Sequence, residues 1–286
     1  MTTVTTTPDW DADLQVYEPH RAGLPKMRPY FRDLFGRLEF AAEFSRSGIK
    51  AAHSQTVFGQ LWLVLNPLLL ACVYYLLVAV IGNRDGIEYL AHITGGLFVF
   101  NLVAGSLSSG AGSVTGGGRL IMNQAFPRML MPLAAVRTAF FRFMPTLVVY
   151  FVIKVLSGTP WNWAVFGGVY FLAMLTVFSL GVAAIMGTLQ VYFRDTTSFL
   201  PFFTRIWLYG SPVLWTVHDK AAVNHFTLLL LVNPLFSMIG GWTQTTLLGE
   251  VPEASLWLVS AGWAFLALIV GTLFFMSRER DFAVRL

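Results

Sequence analysis

From Val155 to Phe193 the chain carries no Asp, Glu, Lys or Arg. A helix needs about 20 apolar residues to cross the roughly 30 Å hydrocarbon core of a bilayer, and this run exceeds one crossing. Similar runs recur along the 286 residues, which are 56% hydrophobic and only 12% charged, against about 25% charged in ordinary soluble domains. The sequence is therefore that of an all-α membrane protein.

Six spans can be placed. They run over Leu61 to Ile81, within the uncharged stretch Tyr89 to Gly118, over about Leu130 to Leu156, Trp163 to Gln190, Ser198 to Val217, and Ser255 to Met276. The third holds Arg137, Arg142 and Lys154, and the fifth holds Arg205. A further uncharged run, Ala221 to Gly249, is interrupted at Asn233-Pro234 and Gly240-Gly241. Proline removes a helical donor and the LLLLV before it is too short to cross, so short re-entrant or interfacial helices are expected there rather than a seventh span.

Basic residues set the orientation. With a cytoplasmic amino terminus, the inner segments hold Arg21, Lys26, Arg28, Arg32, Arg37, Arg46 and Lys50, then Arg119 and Arg128, Arg194, and Arg278, Arg280 and Arg285; the outer loops hold Arg84 and Lys220. This asymmetry follows the positive-inside rule with both termini cytoplasmic. It also accounts for the net charge of +4 without nucleic acid, which would call for a clustered basic face. Arg194-Asp195 then forms a short cytoplasmic elbow between the fourth and fifth spans. The histidines (His20, His53, His92, His218, His225) lack metal-ligand spacing, and the single Cys72, inside the first span, is expected to be buried.

Ahead of the spans, residues 1–28 read as a flexible, Thr-rich cytoplasmic tail with no apolar core of a signal peptide. Residues 29–50 form an amphipathic helix: Phe31, Leu34, Phe35, Leu38, Ala41 and Ala42 share one face, which suits the membrane interface. Residues 51–286 make up the six-span domain. Ser106, Gly110, Gly112 and Gly116 provide the spacing for close helix packing. The triplet Gly116-Gly117-Gly118 is no phosphate loop, since no Lys-Ser or Lys-Thr follows it. Arg119 to Pro127 is long enough for a short cytoplasmic helix with an aromatic tip at Phe126, suited to a groove on a partner.

The ordered phrases QTVFGQLWLVLNPLL, GGLFVFNLVAGSLSSG, AFPRMLMPLAAV, LGVAAIMGTLQVYFRDTTSFLPF, GSPVLW and VNPLFSMIGGW, with the closing ERDFAVRL, resemble the permease subunit of type-2 ABC exporters of polysaccharides, the Wzm-type family. The resemblance covers roughly Phe31 to Leu286. It implies a homodimeric permease that exports lipid-linked O-antigen, teichoic acid or cell-wall galactan, with the overall phrasing nearest the galactan exporters. It further implies a separate Wzt-type ATPase dimer that binds ATP and Mg. This chain carries no GxxxxGK[ST] motif around its lysines Lys26, Lys50, Lys154 and Lys220, so it is not itself an ATPase. Arg119, Asn123, Gln124, Phe126, Pro127 and Arg128 would form the helix that couples to the ATPase. Relatives often carry a Lys just before the Phe-Pro, where this chain has Asn123-Gln124-Ala125.

The implied substrate, a polyprenyl-diphosphate-linked glycan, asks for aromatic faces along the sugar path and a cation near the diphosphate. Trp62, Tyr74, Tyr75, Phe98, Phe100, Trp207, Tyr209 and Trp215 lie in the spans that line the conduit of relatives, although interfacial belts also place such rings. Arg142, two to three turns into its span, is the candidate for a diphosphate contact or a buried pair, whereas Lys154 is expected to snorkel outward. Other export substrates, a drug or simple lipid, fit the same spacing. A membrane glycosyltransferase would need an acidic motif at the bilayer, and Asp11-Ala12-Asp13 lies in the tail. A secondary transporter would need intramembrane carboxylates or repeats, and every Asp and Glu falls outside the six spans.

Overall fold

The computed structural model describes residues 24–52, 58–82, 86–218 and 224–286. Its long helices are α3 (Trp62–Gly82), α4 (Ile87–Gly116), α6 (Leu130–Leu156), α7 (Gly167–Tyr192) and α11 (Ala254–Arg278). With their flanking turns these five are long and apolar enough to cross a membrane. Shorter elements are α1 (Met27–Gly36), α2 (Leu38–Ala52), α5 (Gly118–Asn123), α8 (Thr196–Gly210), α9 (Phe226–Val232), α10 (Pro234–Thr243) and α12 (Phe282–Arg285). No strand occurs among the described residues.

The ends of the bundle are fixed by contacts. Tyr30 of α1 donates to Glu279, just after α11, at 2.7 Å. The start of α1 and the end of α11 therefore share one end, called here the terminal end, and an even number of crossings must separate them. Five long helices leave one crossing to find. It is supplied by α8 together with residues 211–217: α8 begins beside Gln190 at the terminal end, and at the far end Leu214 and Trp215 offer carbonyls to Tyr89 and His92.

This fifth crossing differs from the expected helix to Val217. The helix stops at Gly210 because Ser211 is extended (φ −102°, ψ 154°) ahead of Pro212, a residue that disfavours helical geometry in its predecessor. Irregular backbone at membrane depth is tolerated only when protein encloses it. Ser211 and Val213 are fully buried accordingly.

The expected re-entrant pair is present. Helices α9 and α10, with the π-helical turn Gln244–Leu248, meet at a 114° bend. The segment dips in and returns, for His218 before it and Glu250 after it meet at 3.2 Å at the far end. At its apex Asn233 joins three elements. Its amide donates to Gly210 O at 2.7 Å and to Ser211 Oγ at 3.3 Å. Its carbonyl accepts from Trp207 Nε1 at 2.9 Å and from the Leu235 amide at 3.1 Å, capping α10.

Close backbone approach sets the helix packing. A Cβ on Gly181 of α7 would lie 2.2 Å from Ala267 O of α11, and one on Gly271 would lie 2.1 Å from Gly181 O. Gly110 of α4 meets Ala183 of α7 in the same manner, whereas Gly112 and Gly116 face open space. Cys72 is exposed on α3, not buried as expected, because α3 lies at the edge of the bundle.

Membrane hydrogen bonds contribute about 0.6 kcal/mol each, so the four at Asn233 amount to roughly 2–3 kcal/mol. Asn233→Leu is expected to lower the melting temperature in detergent by about 5 °C or more. An unchanged melting temperature would show that Asn233 does not hold the apex.

Candidate functional site

Two regions gather the residues singled out in the sequence. The first is a groove between α3, α4 and α6. It has a volume of about 240 Å³ and brings together Trp62, Phe98 and Arg142 with Asn66, Asn101 and Ser109. The helices place these side chains because α3 and α6 run from the terminal end while α4 runs toward it, so their terminal-side halves face one another. Arg142 lies twelve residues past Leu130, about 18 Å along α6. A charge near mid-bilayer costs at least about 2.5–3.5 kcal/mol unless it is paired or hydrated. Yet Arg142 Nε is buried without a hydrogen-bond partner.

The other aromatic candidates are distributed elsewhere. Tyr74 and Tyr209 meet edge to face, 6.4 Å between centroids. The Tyr75 hydroxyl accepts from the Gly86 amide at 3.1 Å. Trp207 is tied to Asn233 and packs on Phe203. Trp215 stacks on Phe236 and donates to Tyr209 O. Phe100 is buried in the core. The groove thus assembles three of the nine candidates, and Asn66, Asn101 and Ser109 were missed. Their signal in the sequence is a polar side chain inside an apolar span.

The second region is the terminal end. The helix expected over Arg119 to Pro127 is confined to α5, Gln124 turns extended, and residues 124–127 are not helical. Phe126 does not form a protruding tip: its ring lies 5.3 Å from that of Phe40 on α2, covering apolar area that a tip would leave in water. Met122, Asn123, Gln124 and Ala125 are the exposed residues, while Pro127 is buried. The side chain of Arg119 falls outside the described residues. Arg128 is turned inward and donates to the Glu279 carbonyl. Tyr30 completes the cluster by accepting from the Met129 amide. Burial, and then the adjacent Glu279 carboxylate, push the Tyr30 hydroxyl well above its ordinary ionisation range, so it remains a donor. Arg37 adds a bond to Ala125 O at 3.0 Å while pairing with Asp33. The exposed tip is therefore braced by α1, α2 and the carboxyl-terminal segment together.

The amphipathic segment is broken into α1 and α2 at Arg37. Leu34, Ala41 and Ser45 are buried, and Ser45 accepts from Thr138 of α6. Phe35, Leu38 and Phe44 remain exposed. The apolar face is thus shared between the bundle and its surroundings.

At the elbow, Arg194 and Asp195 are exposed, and neither side chain has a hydrogen bond or ion pair among the described residues. The turn is held instead by buried Gln190, which donates to Arg194 O and accepts from the Thr197 amide, both at 3.0 Å. Lys154 also departs from expectation. It is fully buried, donates to Thr246 O and lies 4.4 Å from the Trp161 ring. The π-helical turn returning from α10 covers it and supplies the carbonyl, which removes the need to snorkel.

No protein-family profile matches the chain. Among curated proteins it is similar to the "O-antigen export system permease protein RfbA" of Klebsiella pneumoniae, 28% identical over 201 residues, covering 68% of this chain and 75% of that protein. A second Klebsiella pneumoniae protein of the same name is 28% identical over 208 residues, covering 71% and 78%. The Myxococcus xanthus protein of that name is 26% identical over 239 residues, covering 82% and 90%. The resemblance to Wzm-type permeases read from the ordered phrases thus extends over most of the chain.

The elbow supplies a direct comparison. Gln190→Leu removes two bonds and is expected to cost about 1–2 kcal/mol, whereas Arg194→Ala should stay within about 0.5 kcal/mol. Unfolding in detergent measures both, and an equal loss for the two would refute this division of roles.

Proposed function

We propose that this chain is the membrane permease subunit of an ATP-driven exporter that moves a polyprenyl-diphosphate-linked polysaccharide of O-antigen or galactan type out of the cytoplasm. The observation that carries this reading is the similarity to O-antigen export permeases across 68–82% of the chain. The all-α bundle with its re-entrant far end suits a translocation pathway built from membrane helices.

In this reading two copies of the chain form the pathway, and the membrane is the inner or plasma membrane with both termini cytoplasmic. A separate ABC ATPase dimer, holding ATP and Mg, docks at the terminal end. The exposed residues Asn123 and Gln124 enter a groove on that ATPase. Arg128, Phe126 and Pro127 hold the tip against α1, α2 and the carboxyl-terminal segment, so that ATPase closure displaces a braced unit instead of a loose loop. The half-exposed or exposed rings of α3 and α8, Trp62, Tyr74 and Tyr209, face the sugars through their apolar surfaces and leave hydroxyls free to bond elsewhere.

The test is transport. Vesicles containing this chain and its ATPase are expected to translocate a long lipid-linked glycan only when ATP is supplied. Gln124→Ala combined with Asn123→Ala should reduce permease-stimulated ATP hydrolysis several-fold while leaving the chain folded. Movement of a sugar-free lipid or drug with no glycan tested crossing would replace this reading with a simple lipid or drug exporter.

A further inference from the structure

The guanidinium of Arg142 has no carboxylate beside it among the described residues, and we propose that the α3–α4–α6 groove binds the phosphate headgroup of a membrane lipid. The assignment deepens the exporter reading and rests on it for the source of the lipid. Arg142 forms no hydrogen bond or ion pair among the described residues, and its Nε is buried without an acceptor. No Asp or Glu lines the groove. The carboxylate in the crossing helices is Glu88, in the first turn of α4 at the far end, so those helices in a second copy bring no carboxylate to the depth of Arg142.

What the groove does offer matches a phosphate. An arginine presents its donors in a planar fork fitted to phosphate oxygens. Asn66, Asn101 and Ser109 line the same groove, and none of their side chains has a hydrogen bond among the described residues. Their amide and hydroxyl groups are further donors. The volume of about 240 Å³ compares with roughly 30 Å³ for one water, enough for a phosphate or a diphosphate. Beside the groove, Leu69, Val73, Leu76 and Val80 of α3 expose an apolar flank along which a lipid tail can lie. Trp62 and Phe98 close the groove with apolar faces that raise the strength of any charge pair inside it.

The full chain in nanodiscs of neutral phosphatidylcholine is titrated with four probes: a polyprenyl diphosphate, the same polyprenol without phosphate, phosphatidylglycerol, and soluble inorganic diphosphate. Polyprenyl diphosphate is expected to bind and polyprenol not to. Arg142→Gln should weaken that binding about tenfold or more, Arg142→Lys should retain much of it, and Arg137→Gln, outside the groove, should leave it unchanged. If Arg142→Gln does not fold, Asn101→Ala is expected to weaken the same binding and carries the test. Equal competition by phosphatidylglycerol, lost in Arg142→Gln, supports a general lipid-phosphate site. Binding of inorganic diphosphate alone, equal binding of polyprenol, or wild-type affinity in folded Arg142→Gln and Asn101→Ala would each overturn the proposal. Arg142-dependent lipid binding in vesicles that export no glycan would sink the exporter reading and leave the headgroup site standing.

Discussion

A bilayer offers no partner to a free backbone group, and the fold depends on how Asn233 meets that constraint. One side chain takes the last carbonyl of α8, the first amide of α10 and the indole of Trp207. Without it, the non-helical stretch from Ser211 and the apex of the re-entrant segment would each leave polar backbone in an apolar setting. With it, the chain enters and leaves from the same end without a complete crossing, and the parity of the spans is preserved. The covering of Lys154 follows from this arrangement, because the π-helical turn that returns from the apex provides the Thr246 carbonyl.

The second organising device is the absence of side chains. Helices in lipid gain little from burying apolar area against one another, so they associate where backbones approach closely. Helix α7 does this on two sides, through Gly181 against α11 and through Ala183 against Gly110 of α4. It becomes the post around which the bundle is arranged, while α3 remains at the rim with most of its surface open. The groove with Arg142 lies at that rim, where a lipid has access.

Much of this was legible in the sequence, because hydropathy and helix length are local properties. Five spans, the re-entrant segment and the small-residue contact at Gly110 follow from them directly. The failures share a cause. The surroundings of Lys154, Phe126 and Cys72 each depend on what another part of the chain places, or does not place, beside them, which spacing along the sequence does not carry. Arg194-Asp195 stands out in the sequence as a charged pair, yet the elbow is held by the uncharged Gln190. Asn66 and Asn101 were invisible for the same reason: a polar residue in a span has meaning only when its neighbours on two other helices are known.

The brace at the terminal end has a consequence for the making of the protein. It requires Tyr30 and Arg37 from the beginning of the described chain, Ala125 and Arg128 from the middle, and Glu279 from the end, with Leu286 packed beside Gly118. Synthesis proceeds from the amino terminus. The contacts of Glu279 with Tyr30 and Arg128 therefore form only after the last helix has been made, so a chain halted before Glu279 holds the tip through the Arg37 and Phe40 contacts alone. The terminal surface is thus assembled from segments synthesised first, midway and after the last helix.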